Sequence, residues 1–186
     1  SKLYAFEPNK DLQKILSNNK KFKSTNIELL NYGVGNETKD YQLNVTIDTL
    51  SSTFNDINTA SKYYLKKKKI LSFFSKKETF IDKLQQSKII TLNDFLKKKD
   101  IHIVDVLKID TEGFEFNVLR GLSNSDFKKI RFIYFEHHFD TMIKKNYNFS
   151  DINSILKKNN FSQRFKLRMS YRKSFEYIYE NSQKIR

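Results

Sequence analysis

Apolar positions along the chain fall in short clusters, set apart by Lys- and Asn-rich stretches, and their spacing switches between a strand-like and a helix-like period. Residues 3–6 form a short apolar run that stops at Glu7-Pro8, and Asn9 is then placed to cap a helix running to about Ser17. Residues 27–32 predict a second strand, stopped by Gly33-Val34-Gly35-Asn36, which reads as a tight turn. Beyond it Tyr41, Leu43 and Val45 alternate with Gln42, Asn44 and Thr46, as in a half-buried strand pairing back after that turn. Residues 49–88 lack a clean period and are rich in Ser, Thr and Lys, so we expect a partly helical excursion over one edge of the core.

Order returns at Thr91, which predicts a capped helix over 92–98 with Asp94 in the reciprocal position. Residues 101–109 are β-branched and apolar nearly throughout, the pattern of a strand covered on both faces in a parallel sheet. Over 113–120, Phe114, Val118 and Leu119 share one helical face, and Gly121 stands where a left-handed terminator belongs. Residues 130–135 predict another strand, ending at Glu136-His137-His138. Ser150 is expected to cap a helix through Ile152, Ile155 and Leu156, and residues 164–169 and 175–179 read as a closing antiparallel pair.

Strands and helices in alternation, followed by a hairpin, predict a single α/β domain over 1–186 with a three-layer, mostly parallel sheet. In such sheets ligands bind in the crevice beyond the carboxyl ends of the strands, where Glu7, Asn31, Asp110 and Glu136 are all expected.

Composition changes this picture little. No cysteine is present, which excludes disulfides, thiolate metal sites and a cysteine nucleophile, and suits a cytoplasmic setting. No apolar run approaches the roughly 20 residues of a membrane span, and no secretory signal pattern appears. The formal net charge of +14 invites a nucleic-acid reading, but the lysines are spread along the chain. The densest block, Lys66 to Lys69 with Lys76 and Lys77 nearby, reads as a solvated helix face. Nucleic acid is therefore not the expected partner.

The strand ends carry the candidate chemistry. A carboxylate at Glu7 suits the vicinal hydroxyls of a ribose, against the plainer reading of an acid complementing the dipole of the next helix. Asp110 closes the long strand, where it could orient a ligand or take its proton. Glu112 reads equally as a first-turn acid or a functional group, Glu115 as structural, and Gly113 as a point of close backbone approach. His137 and His138 follow the next strand, and an imidazole there would titrate where a general base works best. With only His102 besides that pair, a transition-metal cage is not expected. Gly33-Val34-Gly35 lacks a helix start behind it and so fails as a phosphate loop.

At LKIDTEGFEFNVLRGL (residues 107–122) the chain resembles the signature of the FkbM family of S-adenosylmethionine-dependent methyltransferases. LYAFEPN, NIELLNYGVGN, ITLNDFL, IRFIYFEHH and ILKKNNF agree in family order over residues 3–161. The resemblance implies a Rossmann-like class I methyltransferase sheet with a C-terminal antiparallel hairpin. It makes Glu7 the ribose acid, sets Asn31, Tyr32, Gly33 and Val34 near the adenine, and sets Asp110 and Glu112 by the methyl-transfer centre. The implied cofactor is S-adenosylmethionine and the acceptor a sugar, glycan or other small-molecule hydroxyl, with Asp110 or His137 as base. Residues 49–88 would cover the acceptor, Ser51, Ser52 and the lysines being candidate contacts. The family's first strand and glycine-rich loop would precede Leu3, so the chain is expected to be N-terminally truncated, with exposed sheet edges that favour a homo-oligomer. The competing expectation is a non-catalytic, methyltransferase-like module that binds anionic ligands or nucleic acid.

Overall fold

The computed structural model describes residues 1–46, 52–74, 81–169 and 173–183. The chain opens with β1 (Leu3–Phe6), α1 (Lys10–Asn18) and β2 (Ile27–Leu30), and β1 pairs with β2 in parallel. The fully buried Asn9 starts α1 as expected, its side chain accepting from the backbone N–H groups of Asp11 and Leu12.

The next segment departs from the expected turn. Gly33–Val34 is itself a short strand, β3, and the chain bends at Asn36 and Glu37 before β4 (Lys39–Thr46). β4 does not pair back onto β2; its antiparallel partner is β5 (Ile81–Ile90), which also pairs in parallel with β3. The supposed excursion thus contains most of this ten-residue strand and all of α2 (Lys62–Phe74). The strand hides in the sequence because Gln85 and Ser87 point inward alongside Ile89 while Leu84 points out. Gln85 is satisfied there: Nε2 donates to the Pro8 carbonyl at 2.7 Å and Oε1 accepts from the Lys10 N–H at 3.1 Å. Those two bonds tie β5 to the turn that carries Glu7.

The second half runs α3 (Leu92–Lys98), β6 (Val104–Ile109), α4 (Glu115–Arg120), α5 (Asn124–Phe127), β7 (Ile130–His138), α6 (Phe149–Lys158), β8 (Phe161–Arg168) and β9 (Ser174–Asn181). Thr91 caps α3, its hydroxyl accepting from the Asp94 N–H, but Asp94 turns away to accept from Thr38. Asn148, not Ser150, caps α6, in a reciprocal arrangement with Asp151. Gly121 has φ −78°, so it is no left-handed terminator; a Cβ there would lie 2.1 Å from the Gly35 carbonyl oxygen, and glycine serves close approach instead.

Among the described residues the strands form three sheets, ordered β1-β2, β3-β5-β4 and β6-β7-β9-β8. β6 and β7 are parallel, and β7-β9-β8 are antiparallel, so the closing pair forms the expected hairpin. β6 is not covered on both faces: it is an edge strand, with Val106 58% exposed. The main core joins Ile109, Leu119, Phe127, Ile133, Phe135, Ile152, Leu156 and Tyr179, packing α4 and α6 against β6, β7 and β9. A smaller cluster of Leu43, Val45, Phe54, Ile89 and Phe114 ties the β3-β5-β4 sheet to the start of α4. No helix among the described residues is long and apolar enough to cross a membrane.

Candidate functional site

The carboxyl ends of β1, β2 and β6 open on one cavity of about 390 Å³. Glu7 and Pro8 line it from behind β1, Tyr32 and Gly33 from behind β2, and Asp110, Thr111 and Glu112 from behind β6. Leu12, Val34, Leu43 and Phe54 supply apolar wall, and Ser52 a hydroxyl. Of the residues singled out in the sequence, Glu7, Tyr32, Gly33, Val34, Ser52, Asp110 and Glu112 therefore meet. Asn31 stands behind them: its Nδ2 donates to the Glu7 carbonyl at 2.9 Å and locks the β1 and β2 ends together. Gly33 is required where it stands, because a Cβ would lie 2.5 Å from the ring of Phe54 that walls the cavity.

Each acid is held differently. Glu7 N–H extends the ladder to the Leu30 carbonyl at 2.9 Å, and its Oε1 accepts from the Asn9 N–H at 2.8 Å. Burial raises its pKa, with the Asn9 bond opposing. Asp110 is partly exposed and paired with Lys108 at 3.2 Å. Glu112 takes a left-handed backbone, φ 48°, and Gly113 follows at φ 93°. Such a conformation persists only where surroundings over-determine it. Thr53 Oγ1 donates to the Glu112 carbonyl at 2.8 Å, and Asn55 Nδ2 donates to the Gly113 carbonyl at 2.5 Å, with the Tyr147 hydroxyl oxygen 3.0 Å from that carbonyl. The loop thereby aims the Glu112 side chain inward, where burial pushes its pKa up to about 7 against the pull of His138 and Lys67. Glu115 is structural, as read: it accepts from the Gly113 N–H at 2.8 Å, from Thr111 and from Tyr147 OH at 2.5 Å.

The two histidines part company because strand neighbours face opposite ways. His137 does not line the cavity. It is buried against Phe139, Tyr147 and Phe149, with ring centroids 4.8, 5.9 and 5.8 Å away, and burial pushes its pKa down to about 4. His138 shares a face with Glu136 and turns toward Glu112, its Nε2 lying 3.4 Å from Glu112 Oε2. Burial pulls its pKa down, but Asp140, Glu112 and Glu136 more than offset this and hold it above the usual histidine value. Period-two alternation across Glu136-His137-His138 contained that distinction. Phe54, by contrast, carried no readable signal in its irregular segment, and Ser51, Lys76 and Lys77 lie outside the described residues.

Parallel strands whose carboxyl ends gather acids around one cavity define an α/β protein with the crevice at its strand ends where such folds place a ligand. A family model, the methyltransferase FkbM domain, matches residues 1–163. The chain belongs to that family of methyltransferases. Comparison with curated proteins and with solved structures returned no match.

Proposed function

We propose that this chain is an S-adenosylmethionine-dependent methyltransferase that modifies a hydroxyl of a small-molecule or glycan acceptor. The observation that carries the reading is the meeting of Glu7 and Asp110, from opposite halves of the chain, on one cavity. The residues present suit the nucleoside part of the cofactor: a half-buried carboxylate for the ribose hydroxyls, flanked by Tyr32, Gly33 and the apolar walls of Leu12 and Leu43. A cavity of about 390 Å³ is also of ordinary small-ligand size. The cofactor supplies an electrophilic methyl group on a sulfonium. The chain's own part is to hold the acceptor oxygen in line with that methyl and to take its proton. Of the two bases expected from the sequence, Asp110 lines the cavity and His137 does not.

The three-layer sheet belongs to the same reading. β1 and β6 each leave one edge unpaired among the described strands, and an apolar groove of about 800 Å³ runs between them. One further parallel strand in that groove would join the first and third sheets. Its lining of Leu3, Phe6, Phe95, Ile103 and Val106 supports a strand with apolar side chains on both faces.

Titration calorimetry with S-adenosylhomocysteine tests the cofactor assignment. Glu7→Ala removes a carboxylate expected to bind both ribose hydroxyls, so affinity should fall roughly tenfold to a hundredfold. Equal affinity in the variant would remove Glu7 from the cofactor site.

A further inference from the structure

We propose that Glu112, His138 and Asp140 form a proton relay that starts at the cavity wall and carries the acceptor's proton into the protein, a proposal that rests on the methyl-transfer reading. Glu112 is the only one of the three that lines the cavity. Behind it, His138 Nε2 lies 3.4 Å from Glu112 Oε2, and on the far side of the ring Nδ1 lies 3.8 Å from Asp140 Oδ2. Asp140 is itself fixed, its Oδ1 accepting from the Met142 N–H at 2.8 Å. The order is carboxylate, imidazole, carboxylate, with one end open to ligand.

Acids near a histidine would not suffice without a sign that the imidazole is kept for use. His138 is nine-tenths buried, and its Nε2 has no hydrogen-bond partner although it points at Glu112. A buried nitrogen left in this state costs free energy. Ser174, directly across the ladder from His138 on β9, is fully buried and its hydroxyl is likewise unpartnered. Two orphaned polar atoms on one sheet face, beside a strained Glu112, mark a place where hydrogen bonding changes during function.

The charged groups around the ring are mixed. Glu136 on β7 lies 3.6 Å from Nε2, Glu115 on α4 contributes negative charge, and Glu176 on β9 stands opposite Glu136 in the ladder. Against them, Lys67 on α2 acts on Glu112, and Lys145 donates to the His138 carbonyl. The excess of carboxylates favours a protonated ring once a proton arrives.

In the step itself the acceptor O–H gives its proton to Glu112 while the oxygen forms a bond to the methyl carbon. The carbon–sulfur bond breaks with its electron pair left on sulfur, which becomes a neutral thioether. The protonated Glu112 then passes the proton to His138 Nε2, returning to carboxylate, and the imidazolium is held between Glu112 and Asp140. Glu112 is the catalytic residue here; His138 and Asp140 are positioning residues.

Carbodiimide labelling reads the relay without any cofactor, because an apolar carbodiimide reacts with protonated carboxyl groups that it can reach. Labelling of Glu112, followed by peptide mass spectrometry across pH, should show a midpoint near neutrality in the native protein. In His138→Gln the midpoint should rise by roughly one pH unit, since the neighbour that takes up positive charge over the same pH range is lost. A titration of nitrogen-15 histidine in the unsubstituted protein and in Glu112→Gln gives the reciprocal reading and covers the case in which His138→Gln fails to fold. The His138 midpoint should fall by a similar amount in Glu112→Gln. Identical labelling profiles, or a His138 midpoint indifferent to Glu112, would overturn the relay. Calorimetry with S-adenosylhomocysteine decides the cofactor reading separately, so the two can fail independently.

Discussion

His137 and His138 show how much rides on which way one side chain faces. Both are buried, yet one sits among aromatic rings with nothing to share a proton, and the other among carboxylates. His137 accordingly has a pH-dependent effect on folding with a definite sign. Its folded-state pKa is about 4, below the roughly 6.5 of an unfolded histidine, so the unfolded chain binds more protons between those values. Its contribution to stability is complete above about pH 6.5 and is lost as pH falls toward 4. The loss should reach on the order of 2 kcal/mol. His137→Phe keeps an aromatic ring in the aromatic pocket and removes the unpartnered Nδ1. Urea midpoints measured from pH 7 to pH 4 should therefore decline less steeply in His137→Phe than in the native protein. Parallel declines in the two proteins would mean that His137 is solvated in the folded state.

At the scale of elements, the contact between the β3 end and the α4 end is the tightest backbone approach involving any glycine. Gly121 and Gly35 meet there with no room for a methyl group, and Gly35 immediately follows Val34 of the cavity wall. Gly121→Ala has an acceptable backbone angle, so its whole effect comes from pushing α4 away from β3. We expect a loss of roughly 1–3 kcal/mol in thermal or urea unfolding. S-adenosylhomocysteine affinity should drop with it, because β3 and the Asp110–Glu112 loop would shift relative to each other. A variant of native stability would show that the two segments yield readily. This contact also marks the limit of sequence reading. Gly121 was legible as a helix end, but its reason was a long-range neighbour that no local pattern encodes. Where burial follows an apolar period, as in β7 and α6, the elements were legible to within a few residues. β5 was not, because its inward positions are Gln85 and Ser87, satisfied by the β1–α1 turn and not by apolar packing. The acids of the site were legible because each lies at or just beyond the end of an apolar strand; Ser52 was named only as an acceptor contact, and Phe54 was not legible, because its segment has no period.

On the scale of the whole molecule, two long-range features oppose each other. Leu3, Ile103 and Val106, half or more exposed in round terms, border the groove between the free edges of β1 and β6. An apolar strand edge of this kind is a template for pairing with another copy. The net charge of +14 keeps copies apart while it is unscreened. Salt shortens the range of that repulsion to about 10 Å at 0.1 M, and leaves apolar attraction in place. Sedimentation velocity on this polypeptide should therefore show association that grows with protein concentration and with added sodium chloride. Binding to a polyanion would change in the opposite direction, since it weakens as salt rises. Val106→Lys places a charge on the open face of β6, a device by which natural edge strands avoid pairing, and should return the population toward monomer at every salt concentration. The Glu7–Asp110 cavity is not touched by this substitution, because Val106 lines the groove instead. If the unsubstituted chain sediments as a monomer at high salt and high concentration, the groove is already closed to strands, and the proposed joining of the first and third sheets through it fails as well.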